Sequence, residues 1–157
     1  MRKKRIMIMG AERCGKTTLA VFLEGSGSMR RVPNMVYRPV TIDAPGAYLE
    51  SPWMHSHLIA TAQDACCIVM MADMTKRRFV YPPEFAKAFR VPIFGVMTKG
   101  DLDEADRTIA MQDLLQAGVK PPYYEINGLK PESMKNLKEI LFSYLSKEDL
   151  KKLDHGQ

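Results

Sequence analysis

Gly10-Ala11-Glu12-Arg13-Cys14-Gly15-Lys16-Thr17-Thr18 is the stretch that decides the architecture. It fits Gly-x-x-x-x-Gly-Lys-[Ser/Thr], the P-loop pattern in which backbone amides cradle phosphate. Its flanks agree. Arg5-Ile6-Met7-Ile8-Met9 before it is a short apolar run expected as a buried parallel strand, and Leu19-Ala20-Val21-Phe22-Leu23 after it has helical spacing. Glycines at 10 and 15 let successive N–H groups turn inward, and the following helix adds the positive end of its dipole. Lys16 is then placed to reach β- and γ-phosphates as a point charge, and the Thr17 hydroxyl to ligate a Mg²⁺ that bridges them. The competing reading is a glycine-rich strand-to-helix turn that binds nothing; a full motif between the right elements argues against it.

Moving outward, the helix is expected from about Lys16 to Glu24, ending at Gly25-Ser26-Gly27, with residues 25 to 34 as a loop. Met35 to Tyr37 and Val40 to Ile42 are short strand candidates separated by Arg38-Pro39. The second of these ends in Asp43-Ala44-Pro45-Gly46. An Asp at the carboxyl end of an apolar strand suits the acidic residue that P-loop proteins hold near Mg²⁺, with the Gly46 amide available to the γ-phosphate. The same four residues also suit an ordinary turn.

Ser51 to Gln63 reads as a loop entering a helix, and His55 and His57, two apart, do not form a metal pair. Asp64 to Asp73 carries the clearest buried strand. Pro82 to Arg90 is expected as a short helix, Pro92 to Met97 as a strand, Glu104 to Ala117 as a helix stopped by Gly118, Pro122 to Ile126 as a last strand and Pro131 to Leu145 as a last helix. Strands alternating with helices predict an α/β fold: a doubly wound, mainly parallel sheet with helices on both faces and ligands outside the carboxyl ends of the strands.

Thr98-Lys99-Gly100-Asp101 follows a strand and resembles the Asn/Thr-Lys-x-Asp motif of GTPases. Guanine presents N1–H and N2–H₂ on one edge, and an ionised Asp101 can accept both while the Lys99 stem lies along the base. Adenine offers an acceptor there instead, so the carboxylate would be left unpaired. The alternative is a solvated loop in which Asp101 caps the next helix. Asn127-Gly128 stands where GTPases read guanine O6 with a backbone amide, a match of position only.

The 157 residues suit one domain and one core over the whole chain. The formal charge of +5 is spread along the chain, with a short cluster at Arg2 to Arg5 read as a solvated arm, so charge gives no ground for a nucleic-acid partner. Cys14, Cys66 and Cys67 cannot all pair and lack metal-type spacing, which suggests a reduced, cytoplasmic protein. No apolar run approaches a signal-peptide core or a membrane span. The 12 methionines fall mostly in expected core elements and suit flexible core filling.

Taken together, Met7 to Thr18, Ile42 to Glu50, Leu58 to Asp64 and Val96 to Asp101 resemble the EutP/PduV family of ethanolamine and propanediol utilisation, and the resemblance extends over nearly the whole chain. It implies a Ras-like fold, Mg²⁺ and a nucleotide, with Gly10 to Thr18, Asp43, Gly46, Thr98, Lys99 and Asp101 as site residues. It also implies a bacterial microcompartment setting, with a shell protein or enzyme as partner. Family members have been described both as GTPases, acting on GTP and yielding GDP, and as acetate kinases using ATP.

Three departures bear on turnover. Val32 stands where a switch threonine would complete the Mg²⁺ shell. Ala47 follows Asp43-Ala44-Pro45-Gly46 where a side chain would orient water, and Glu12 sets a carboxylate beside the γ-phosphate. Together they predict slow hydrolysis with binding retained. Three readings stand: a weak GTPase acting as a switch, an ATP-dependent phosphotransferase with an acceptor pocket drawn from Arg13, Arg30 or Arg31, and a non-catalytic scaffold.

Overall fold

The computed structural model describes residues 3–25, 34–147 and 150. The expected loop at 25 to 34 therefore lies almost wholly outside the described residues, and Arg30, Arg31 and Val32 with it.

Six strands form one sheet in the order β2-β3-β1-β4-β5-β6: β1 (Arg5–Met9), β2 (Val36–Tyr37), β3 (Thr41–Asp43), β4 (Ala65–Asp73), β5 (Ile93–Thr98) and β6 (Tyr124–Ile126). Every pairing is parallel except β2 with β3. Apolar β1 lies between β3 and β4, where a strand is covered on both faces and can be hydrophobic throughout. Side-chain alternation then divides it between two cores. Met7 and Met9 join Ile42, Ile68 and Met70 under α2 (Gly46–Glu50), α3 (His55–Thr61) and α4 (Arg107–Gln116). Ile6 and Ile8 join Val69 and Met71 under α1 (Lys16–Glu24) and α5 (Glu132–Phe142). This is the Ras-like, doubly wound P-loop architecture. Met7, Met9, Met70, Met71, Met74, Met97 and Met134 are all buried, as core filling requires.

Differences from the expected elements have local causes. The helix expected over 82 to 90 is a single 3-10 turn, Phe85–Ala88, after Glu84 at φ 60°. Its flanking amides bond elsewhere: Glu84 N–H donates to Gln116 O at 2.7 Å and Ala86 N–H to Ala117 O at 2.8 Å, at the end of α4. Helix α4 starts at Arg107 because the Asp106 carboxylate accepts from the Thr108 and Ile109 amides. Helix α2, absent from the sequence reading, begins at Gly46 itself. Among the described residues no helix is long and apolar enough to cross a membrane.

Candidate nucleotide site

The chain leaves β1 through Gly10, where a Cβ would lie 2.6 Å from Cys14 Sγ and 3.1 Å from Met71 O. Arg13 at φ 62° and Gly15 at φ 104° take the left-handed conformation, which turns the intervening amides toward one side. Gly15 caps α1 without a side-chain bond, so the first-turn amides keep their capacity for an anion. Buried Lys16 donates from Nζ to Ala11 O at 2.7 Å, which stretches the side chain across the loop. Cys14 is fully buried, and burial pushes its thiol above the ordinary value. Glu12 and Arg13 are exposed, and Thr18 faces the adjoining pocket.

Thr17 Oγ1 donates to Asp43 Oδ2 at 2.9 Å, which joins the start of α1 to the end of β3. Arg38 Nη1 lies 3.5 Å from the same oxygen. These donors suit Mg²⁺. Both are hard oxygens, and their separation is close to the ~2.9 Å edge of an octahedron with 2.0–2.1 Å bonds. Among the described residues no group of three or more His, Cys, Asp or Glu could hold a metal unaided. A cation held by Thr17 and Asp43 would draw the rest of its shell from water or a ligand.

Gly46 is packed against the loop. A Cβ would fall 2.2 Å from Glu12 N and 2.7 Å from Glu12 Cα, so only glycine allows α2 to begin there. Ala47 is exposed one residue on.

On the other side, buried Thr98 donates from Oγ1 to Cys14 O at 2.7 Å. Lys99, at φ 66°, donates from Nζ to Arg13 O and lies 2.8 Å from Asp73 Oδ2. Thr75 donates to Asp73 Oδ1 from its amide at 2.8 Å and its hydroxyl at 2.6 Å. Burial works to raise the Asp73 carboxyl, but the Lys99 ammonium and the Thr75 bonds outweigh it and hold the group below the usual range. Asp101 is exposed and makes no hydrogen bond or ion pair among the described residues. Since Asp106 caps α4, the capping role considered for Asp101 belongs to its neighbour. The Asn127 amide donates to Ser133 Oγ at 2.8 Å, and Asn127 Oδ1 accepts from the Leu129 amide. Of the two backbone amides, that of Gly128 makes no hydrogen bond among the described residues.

These pieces enclose a cavity of about 470 Å³ bounded by Cys14, Gly15 and Thr18 from the loop, by Thr98, Lys99 and Asp101 after β5, and by Asn127 and Gly128 after β6. The fold thus gathers Gly10 to Thr18, Asp43, Gly46, Thr98, Lys99, Asp101 and Asn127 at the carboxyl edge of the sheet. Sequence reasoning missed Asp73 and Arg38. The available signal for Asp73 was a charge ending the most apolar strand; Arg38 had none, because its contact depends on the β2–β3 register. It also missed Tyr81, whose buried hydroxyl donates to Met71 O at 2.6 Å and underpins the loop from below.

Comparison with known proteins shows the family and the fold. The family described as "Ethanolamine utilisation - propanediol utilisation" (PduV-EutP) matches residues 3–146. "Propanediol utilization protein PduV" of Citrobacter freundii is 32% identical over 123 residues, 77% of this chain and 82% of that protein. "Probable acetate kinase EutP" of Salmonella typhimurium is 31% identical over 150 residues, 93% of this chain and 94% of its own length. The crystal structure of "a probable GTP-binding protein engB" superimposes with a TM-score of 0.61 at 19% identity, covering 90% of this chain and 98% of that one; it shares the fold. With the match spanning all but the two ends, this chain belongs to the PduV-EutP family.

Proposed function

We propose that this chain is a Mg²⁺-dependent guanine-nucleotide-binding protein with weak GTPase activity, acting in the cytoplasm in ethanolamine- or propanediol-type microcompartment metabolism. One observation carries the reading. The cavity beside the phosphate loop holds an Asp101 carboxylate that neither caps a helix nor meets a cation among the described residues. A carboxylate so placed suits the two donors on the guanine edge and leaves adenine unmatched. Lys16 and the loop amides hold the phosphates, Thr17 and Asp43 are the metal's protein partners, and Lys99 fixes the loop to Asp73 while its stem flanks the base. Thr17 and Asp43 would hold a Mg²⁺ whose contribution there would be to offset phosphate charge.

The Gly46–Glu12 contact supports a switch. It sets the start of α2 against the phosphate loop, where the Gly46 amide is available to a third phosphate that a diphosphate lacks. With Ala47 lacking any group to orient water, turnover is slow unless a partner, such as a shell protein or pathway enzyme, completes the site.

The name carried by the Salmonella relative favours a second reading, transfer of the γ-phosphoryl group of ATP to a small carboxylate. Of the three arginines considered for such an acceptor, Arg13, exposed at the loop, is the one among the described residues. Melting curves with Mg²⁺ and GTP, GDP, ATP or ADP separate the two, because a ligand of the folded state raises the melting temperature. A guanine-only rise that is lost in Asp101→Ala and Lys16→Ala is expected. An adenine rise indifferent to Asp101→Ala would overturn the guanine assignment.

A further inference from the structure

Asp43 Oδ2 is approached from two sides, by the Thr17 hydroxyl at 2.9 Å and by the Arg38 guanidinium at 3.5 Å. The ion pair is shielded: the Arg38 side chain is 11% exposed and the Asp43 side chain 9%. An Arg drawn into a nearly dry site loses hydration, and the charge of the facing carboxylate offsets part of that loss.

From this geometry we infer that Arg38 is a resident counter-cation of the metal site, occupying Asp43 when no metal is bound and leaving it when one is. The inference rests on the reading that Asp43 serves the cation, and it adds a residue to which neither the motif nor the family resemblance assigned a role. The competition is for one oxygen. Thr17 and Arg38 converge on Oδ2, so a divalent ion between Thr17 and Asp43 has a positive guanidinium as its next neighbour, and like charges at that distance repel.

The backbone around Arg38 is held in place by its own hydrogen bonds. Its amide donates to Thr41 O at 2.9 Å, closing the β2–β3 turn, and its carbonyl accepts from Arg5 Nε at 2.6 Å. Arg5 is itself held over the Tyr37 ring, 5.6 Å from the centroid. With both backbone groups tied, the change at the metal site is a rotamer change. Two consequences follow: the metal-free protein keeps a neutralised Asp43, and occupancy by metal requires a higher concentration than a bare carboxylate would. Arg38 therefore acts as a positioning residue that sets the metal threshold.

The test uses the full chain, Arg38→Gln and Arg38→Lys, with Mn²⁺ as an electron-paramagnetic-resonance probe, alone and with GDP, and melting in EDTA as a second readout. Arg38→Gln is expected to lower the Mn²⁺ midpoint about tenfold, within the ordinary range of coupling between neighbouring sites, and to melt below the unmodified chain in EDTA. Arg38→Lys, which keeps the charge, is expected to return both readings toward the unmodified values. Equal midpoints in Arg38→Gln and the unmodified chain, or a raised midpoint in Arg38→Gln, would overturn the inference. So would failure of the unmodified chain and Arg38→Gln alike to bind Mn²⁺. A tenfold shift seen equally with ADP in place of GDP would leave Arg38 in this role while removing the guanine assignment.

Discussion

Lys99 Nζ lies 2.8 Å from Asp73 Oδ2 and also donates to Arg13 O, so one ammonium ties the loop after β5 to both the end of β4 and the phosphate loop. Asp73 is almost wholly buried, with a side chain 1% exposed, whereas Lys99 is 34% exposed and reaches solvent. That asymmetry makes the acid the costlier partner to alter.

Asp73→Asn is expected to destabilise the protein by about 1–3 kcal/mol, toward the low end because Lys99 can rehydrate. The pH dependence has a definite sign. A carboxyl held below its ordinary value near 3.8 contributes stability that is complete above that value and is lost as pH falls through the lower folded value. Urea unfolding at pH 7 and at pH 3 checks this: the gap between the unmodified chain and Asp73→Asn should narrow in acid.

Asp113 has the opposite sign. It accepts from the Val80 amide at 3.0 Å, the Tyr81 amide at 3.2 Å and Gln116 Nε2 at 3.1 Å, which fixes the chain after β4 onto α4. Burial nevertheless pushes its carboxyl above the usual value, with those hydrogen bonds opposing. Its titration therefore subtracts stability as pH rises from the ordinary value near 3.8 through the raised one. Asp113→Asn turns one acceptor into a donor facing another donor, at an expected cost of about 1–3 kcal/mol at neutral pH. A melting temperature unchanged by the substitution would contradict this.

Gly46→Ala is expected to cost about 1–3 kcal/mol, because the new Cβ meets the Glu12 backbone rather than a yielding side chain. Isothermal titration should also show weaker nucleotide binding, since the strain falls on the phosphate loop. An alanine variant with unchanged melting and affinity would rule out the close packing of α2 on the loop.

Thr98→Val keeps the shape and deletes the donor to Cys14 O. A loss of about 1–2 kcal/mol is expected, with faster nucleotide release in a stopped-flow chase. Because the only hydroxyl hydrogen of Thr98 already serves Cys14, the variant should leave base preference unaltered. A shift from guanine toward adenine would mean that Thr98 contacts the base.

Single-turnover phosphate release from GTP should be slow, on the order of 10⁻³ s⁻¹ or less, as for an unassisted small GTPase. Ala47 is exposed at the second position of α2, so Ala47→Gln can be introduced without disturbing the core, and it is expected to raise the rate several-fold. An unchanged rate would move the deficiency from water positioning to Glu12 or to the metal shell.

Much of the architecture was legible because its signals are local. The continuous apolar runs at 6 to 9 and 65 to 72, the glycines at 25 and 118, and the alternation of strands with helices place β1, β4, α1 and the end of α4 with few competing readings. The phosphate loop and Asp43 were legible for the same reason, as each is a short motif at a strand end. What escaped the sequence depends on contacts between distant segments. The 82 to 90 region has helical composition, yet two of its amides, those of Glu84 and Ala86, are claimed by Gln116 O and Ala117 O at the end of α4. The sequence offered Asp101 as the cap of a helix starting near Glu104, whereas the turn after β5 runs on to Asp106, which caps it instead. Arg38 meets Asp43 only because β2 pairs antiparallel, with Val36 opposite Asp43.

The tether from Thr98 to Cys14 spans 84 residues, and that from Lys99 to Arg13 spans 86. At an elongation rate of ~5–20 residues per second, the loop near the N-terminus waits several seconds on the ribosome before its fastenings are synthesised. Strand β1 waits as well, since both its neighbours, β3 and β4, come later in the chain. The phosphate loop is thus made well before the segments that fasten it, so nucleotide meets a finished cradle only once β5 has left the exit tunnel and entered the sheet.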